Sequence, residues 1–191
     1  MPATLLTGPA SEPVSLDDMK AHLRVDHDDD DDLIAAAITA ARSHVEATTR
    51  RVLIEQAWRI HLARWPRNRM LRLPVAPLIA VDEIRVRTGE GSPVVVDPEH
   101  YVVDAASVPG RLALEADVPS PATRRMDAIE IDVTAGYGAT AADVPSPLRH
   151  AVTMLVTHWY EHRGAVGESG AGDAVPLGFA ALVAPYRVLS L

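Results

Sequence analysis

Hydrophobic positions along the chain change their period twice. From Leu33 onward, Ile34, Ala37, Ile38, Ala41 and Val45 follow the three-and-four spacing of one helix face, which predicts a helix reaching about Arg51. A shorter helix precedes it. Ser15 followed three residues later by Asp18 reads as a helix start, and Leu16, Met19 and Leu23 then share a face. From Leu53 the period becomes two: Ile54, Gln56, Trp58, Ile60 and Leu62 alternate with more mixed neighbours, as in a half-buried strand. Further strands are predicted at 70–73, 80–87, 94–96, 101–103, 111–114 and 128–134. Between them stand turn signals, Gly89-Glu90-Gly91-Ser92, Asp97-Pro98, Pro109-Gly110 and Pro119-Ser120-Pro121. Short strands with tight turns favour antiparallel pairing.

The helical period returns after the segment TAGYG. Leu148, Val152, Leu155, Val156 and Trp159 mark a third helix with Pro147 in its first turn and Gly164 at its far end. Residues 164–175 are small and glycine-rich, and 176–191 are apolar again. The expected fold is therefore α+β in a single domain spanning 1–191. A helical bundle of two N-terminal helices (15–51) and a C-terminal core helix (147–163) is interrupted by an antiparallel β insertion (53–138) and followed by a linker and tail (164–191). The helices before and after the insertion should pack on each other, with Leu148, Val152, Leu155 and Trp159 as the packing face of the last one.

Composition narrows the function classes. A chain of 191 residues with 48% hydrophobic content can build a core, and with one phenylalanine, Phe179, that core rests on aliphatic residues and alanine. A net charge of −8 argues against a nucleic-acid-binding surface, because phosphate neutralisation supplies most of that affinity. There is no cysteine, hence no disulfide framework and no thiolate metal site. The first residues lack the basic start and apolar run of an export signal, and no stretch approaches membrane-spanning length. The expectation is a protein made in the cytoplasm with no membrane contact.

Two clusters suggest chemistry. His158, Glu161 and His162 spell H-x-x-E-H, which sets two imidazoles one helical turn apart for zinc with a carboxylate to polarise water. A catalytic zinc also needs a third protein ligand, and only Glu168 and Asp173 follow, both in the glycine-rich stretch. The run Asp28, Asp29, Asp30, Asp31 and Asp32 suggests calcium, but counting from Asp28 the EF-hand's glycine and glutamate positions hold Leu33 and Thr39. Counting from Asp26 fares no better. Carboxylates at a helix start also answer the macrodipole and cap free N–H groups, although five exceed that need and the surplus should be solvated or face a space where negative charge is useful. No G-x-S-x-G elbow or phosphate loop is present, and Gly136-Tyr137-Gly138 serves to turn the chain out of the last strand. Arg50-Arg51 and Arg124-Arg125 are isolated basic pairs expected on a solvated surface. No catalytic residue, metal or cofactor is assigned.

The string SLDDMKAHLRVDHDDDDDLIAAAITAARSHVEATTRRVLIEQAW, with the later VTAGYG, VPSPLRHAVTMLVTHWYEHR and PLGFAALVAPYRV, resembles phage head-tail connector (adaptor) proteins, including the related adaptors of gene transfer agents. The segments occur in the family's order and span most of the chain, with the central β region the least specific part. Arg50 departs from the pattern, since relatives often have glycine near the end of the second helix.

The resemblance implies a structural, non-enzymatic subunit of a homo-oligomeric ring, typically a dodecamer, beneath the portal at the DNA-exit vertex of the particle neck. Its implied partners are the portal protein, a tail-side neck (stopper) protein and DNA in transit through the channel. The portal-docking tail would comprise Leu177, Phe179, Leu182, Tyr186 and Val188, and the acidic run Asp28 to Asp32 becomes a candidate channel lining. A tail tethered by a glycine-rich linker is expected to add little to its own domain and to order itself on a partner. Twelve chains at −8 each would carry roughly −96, and a lumen of that sign repels phosphate. The alternatives are a small zinc-dependent hydrolase built on His158, Glu161 and His162, or another neck or tail-completion ring protein.

Overall fold

The computed structural model describes residues 1–89, 92–122, 127–162 and 175–188. Outside them lie part of the predicted 89–92 turn, the Arg124-Arg125 pair, Glu168, Asp173, nearly all of the glycine-rich linker and the last three tail residues. The chain divides into two compact units, one of residues 1–9 and 55–137, the other of 10–54 and 138–191. The inserted β region is thus a unit in its own right, where a single domain was expected.

The β unit holds two antiparallel sheets. Strands β1 (Ala3–Thr7), β2 (Gln56–Leu62), β4 (Leu78–Val86), β5 (Val94–Val95) and β8 (Ile129–Ala135) form one in the order β1-β2-β8-β4-β5. Strands β3 (Met70–Arg72), β6 (Tyr101–Asp104) and β7 (Arg111–Leu114) form the other in the order β3-β7-β6. The two-residue period decides which face is core. On the central strand β8, Ile129, Ile131, Val133 and Ala135 are buried while Glu130, Asp132 and Thr134 are half-exposed, and its register pairs Ile131 with both Ile60 and Ile84. A slip of one residue would turn every apolar side chain of β8 to solvent, so the alternation fixes the register. Gly110 meets the other sheet closely: a Cβ there would lie 2.7 Å from that of Leu78.

The helical unit holds α1 (Leu16–Leu23), α2 (Asp31–Thr49), α3 (Ser146–Glu161) and a short α4 (Phe179–Val183). Ser15 caps α1 as expected, its Oγ accepting from the Asp18 N–H at 3.1 Å and donating to the Asp18 carboxylate at 2.6 Å. Helices α2 and α3 pack together, burying Ile34, Ile38, Ala41 and Val45 on one side and Leu148, Ala151, Val152, Leu155 and Val156 on the other. Arg42, nearly buried, is held between Glu12 at 2.8 Å and Glu46 at 2.9 Å, which pins the segment ahead of α1 to the middle of α2. Both α1 and α2 end on an arginine in the left-handed region, Arg24 at φ 58 and Arg50 at φ 56. Glycine is the residue that meets no steric cost there, so both arginines hold a conformation that a Cβ disfavours.

The predicted strands from residue 56 onward and the three long helices form within a few residues of their expected bounds. Strand β1 and helix α4 were not anticipated. The five residues ATLLT carry no period long enough to read, and α4 lies within the stretch taken for a tethered tail.

Candidate functional site

The acidic run is less free than its sequence suggests. Lys20, the only lysine of the chain, reaches Asp28 and Asp31, each at 2.6 Å. Its two hydrogen bonds raise the ammonium's affinity for its proton, and the same contact holds the Asp28 carboxyl below the usual carboxylate range. Tyr160 on α3 donates its hydroxyl to the Asp30 carboxylate at 2.6 Å. Asp30 is the N-cap of α2, yet its side chain makes no cap hydrogen bond, so capping does not account for that carboxylate. Asp28, Asp29 and Asp32 are exposed and Asp30 and Asp31 half-buried. Part of the run therefore braces the turn between α1 and α2 against α3, and three carboxylates remain on the surface.

The C-terminal segment departs from the expectation more sharply. Phe179 and Val183 are buried in the helical unit, where α4 packs on α3 and α2. The Phe179 ring lies 5.6 Å from that of His44, which meets Trp159 edge-on at 6.3 Å. Two hydrogen bonds finish the attachment: the Val188 backbone N–H donates to the Thr49 carbonyl at 2.9 Å and the Arg51 side-chain Nε to the Tyr186 carbonyl at 2.6 Å. The tail between 176 and 188 is thus part of its own unit. Leu182, Tyr186 and Val188 are half-buried, and Leu177 alone among the five predicted docking residues is fully exposed, at 100%. The amphipathic spacing of Phe179 and Val183 carried this signal, since two apolar residues four apart mark one face of a helical turn.

Of the predicted packing face on α3, Leu148, Val152 and Leu155 are fully buried and Trp159 is half-buried, not core. Trp159 sits in the last turn of α3, its ring perpendicular to that of His44. The H-x-x-E-H residues stand where α3 ends. Glu161 is its last residue, His162 has left helical geometry at φ −109, and its Nδ1 lies 2.8 Å from the His158 carbonyl oxygen. A shallow cavity of about 240 Å³ lies beside His158 and Glu161, bordered also by His22, Met154, Thr157 and Pro176. Among the described residues no group of three or more His, Asp or Glu is arranged to hold a metal ion.

Two features of the β unit escaped the sequence reading. The polar face of the five-stranded sheet is a continuous ion-pair ladder centred on Asp132, which takes Arg59 through two bonds of 2.7 and 2.9 Å and Arg85 at 2.5 Å. Arg85 also reaches Glu83 at 2.7 Å and Glu130 at 3.3 Å, and Arg87 reaches Glu130 at 3.4 Å. Burial pushes the Asp132 carboxyl up, but the hydrogen bonds and charges of the two guanidinium groups outweigh it and hold the group below its usual range. Each partner looked like an ordinary polar strand residue until pairing set β2, β4 and β8 side by side. The second feature is a groove of about 320 Å³ lined by Met1, Leu62, Trp65, Pro66, Met70 and Leu71 between Arg64 and Arg72.

These surfaces suit assembly better than chemistry, and comparison with known proteins points the same way. Residues 13–92 match the family model of the phage gp6-like head-tail connector protein. Among solved structures, a chain from the neck of an empty GTA (gene transfer agent) particle, computed with C6 symmetry, superposes with a TM-score of 0.79 at 27% identity. That match covers 100% of this chain and 97% of the other. Chains from the virion of a native GTA particle and from its neck computed with C12 symmetry give TM-scores of 0.76 and 0.74. Both are 25% identical, with the same coverage. No curated protein matches.

Proposed function

We propose that this chain, whose residues 13–92 carry the gp6-like head-tail connector pattern, is a structural adaptor subunit of a phage or gene-transfer-agent particle neck. It forms a ring under the portal, joins head to tail and contributes a section of the DNA exit channel. The observation that carries this reading is the end-to-end likeness to chains of GTA particles at 25 to 27% identity, which takes in both units. The C6 and C12 symmetry of those necks supports a cyclic homo-oligomer, twelve copies being compatible with both.

The specific partners are the portal protein above and a stopper-type neck protein below, with DNA passing through without sequence readout. The net charge of −8 and the exposed Asp28, Asp29 and Asp32 suit a conduit whose wall must not retain phosphate. For portal docking, Leu177 is the residue whose exposure leaves it free to bind, whereas Phe179 is committed to its own unit.

A native mass spectrum of the purified chain tests the reading, because it reports subunit number and bound metal together. A large metal-free ring is the expected result; a monomer carrying one zinc would replace the adaptor with a hydrolase. Portal docking is tested by co-purification of Leu177→Asp with the portal protein. The variant should keep its thermal stability and lose portal binding at least about tenfold, the cost of placing a charge in an apolar contact. Undiminished binding would remove Leu177 from the docking surface. Deleting residues 176–191 is the poorer test, since it also strips Phe179 and Val183 from the core of the helical unit.

A further inference from the structure

We propose that the groove of the β unit between Arg64 and Arg72 is a binding site for a single strand of nucleic acid, the arginines meeting its phosphates and the apolar floor taking an unpaired base. The net charge of −8 conceals an uneven distribution. Between Glu55 and Asp82 the chain holds five arginines and no aspartate or glutamate. Arg59 is engaged in the Asp132 ladder, whereas Arg64, Arg67, Arg69 and Arg72 make no ion pair among the described residues. In the same unit Arg85 and Arg87 each have a carboxylate partner. The site belongs to the single chain and stands apart from the ring reading.

Arg64, Arg67 and Arg72 are exposed, and Arg69 is half-buried with its guanidinium donating to the Glu115 backbone carbonyl. Arg72 stands directly opposite Arg111, also exposed, in the pairing of β3 with β7. Like charges so placed destabilise a strand pair, and Asp104, on the other side of Arg111, has its carboxylate oxygens accepting from Ser107. Cations gathered at a cost to the fold, with no carboxylate to neutralise them, fit an external anion, and the guanidinium fork fits phosphate through two parallel bonds. Between Arg64 and Arg72 the groove of about 320 Å³ is apolar. Trp65 is fixed in it by its indole N–H, which donates to the Pro119 carbonyl at 2.8 Å, and Met70 beside it is 49% exposed. A fixed aromatic ring among apolar side chains, flanked by arginines, is what a single strand requires, since its base faces stack while its phosphates pair with the cations. A duplex keeps those faces inside its own stack and would use only the arginines. A run of carboxylates would likewise leave the groove empty.

The probe is a fluorescein-labelled oligothymidylate of about twelve nucleotides, titrated with the full chain and read by fluorescence anisotropy beside the corresponding labelled duplex and a labelled polyglutamate peptide. The oligothymidylate should bind, and raising salt from about 50 to 200 mM should weaken it roughly twentyfold, the effect of about three phosphate contacts on a single strand. Arg64→Gln/Arg72→Gln, at two exposed positions, should weaken binding at least about tenfold and flatten the salt dependence. Trp65→Leu should lower affinity about tenfold and leave the salt dependence unchanged, with circular dichroism checking the fold of each variant. Unchanged affinity in a folded Arg64→Gln/Arg72→Gln chain overturns the proposal. So does a duplex bound as tightly as the single strand, which would take the groove out of the site. Polyglutamate bound as tightly would make the patch a docking surface for acidic protein segments and overturn it too. A ring in the native mass spectrum without oligothymidylate binding removes this site and leaves the ring reading standing; a monomer that binds the oligothymidylate does the reverse.

Discussion

At the scale of single residues, the left-handed arginines and the Asp132 cluster are where sequence and conformation pull apart. Arg50 closes α2 at φ 56 and ψ 35, a conformation that costs a residue with a Cβ about 1 kcal/mol and glycine almost nothing. Arg50→Gly is therefore expected to raise stability by no more than about 0.5 kcal/mol, after the greater freedom of the unfolded glycine is set against the relief; urea titration would check it. Asp132 behaves oppositely. Asp132→Asn leaves Arg59 and Arg85 without their shared carboxylate, and a loss of about 1–2 kcal/mol at neutral pH is expected, between the values for exposed and buried pairs. The folded-state carboxyl titrates below its ordinary value of 3.8, so its contribution is present above that value and is lost as pH falls through the lower, folded-state one. Wild type and variant should converge in stability at the acid end of a pH series. A gap that persisted there would assign the effect to packing.

At the scale of elements, the short α4 changes how the C-terminal segment is understood. A helix of five residues has no stability of its own, so its order comes from Phe179 and Val183 entering the core of the helical unit and from the hydrogen bonds to the Thr49 carbonyl and the Arg51 side chain. Phe179→Ala should cost about 3 kcal/mol, the range for truncating a buried aromatic, as measured by the shift in urea midpoint at constant slope. A change below about 0.5 kcal/mol would show that α4 is only loosely held in solution and return Phe179 to the portal-docking set. The same argument separates Leu177, just outside the helix and fully exposed, from the residues that follow it.

At the scale of the whole molecule, the chain alternates between its two units: residues 1–9 and 55–137 build the β unit, 10–54 and 138–191 the helical one. Each unit has its own core and its own exposed surface. The helical unit carries the exposed Asp28, Asp29, Asp32 and Leu177; the β unit carries the Asp132 ion-pair ladder. Division of labour of this kind suits a ring subunit, which must bind like copies sideways and unlike partners above and below. The native mass spectrum addresses the sideways contact, and Leu177→Asp addresses the axial one.

The sequence by itself determined whatever depends on near neighbours in the chain. Three-and-four spacing set α1, α2 and α3, alternation set the strands from β2 to β8, and Ser15 with Asp18 set the first cap, because helix faces, pleats and caps are made by residues a few positions apart. Ordered segments such as VPSPLRHAVTMLVTHWYEHR also carried the resemblance to head-tail connectors. What the tertiary structure decided depends on residues brought together from afar. It placed β1 against β2 some fifty residues later, folded α4 onto α2 and α3, and joined Lys20 and Tyr160 to an acidic run that looked free. It also gathered Arg59, Arg85, Glu130 and Asp132 into one ladder. Burial and charge pairing are properties of three-dimensional neighbours, so a stretch of apolar or acidic letters states what a segment offers and only the packed fold states what has already been taken.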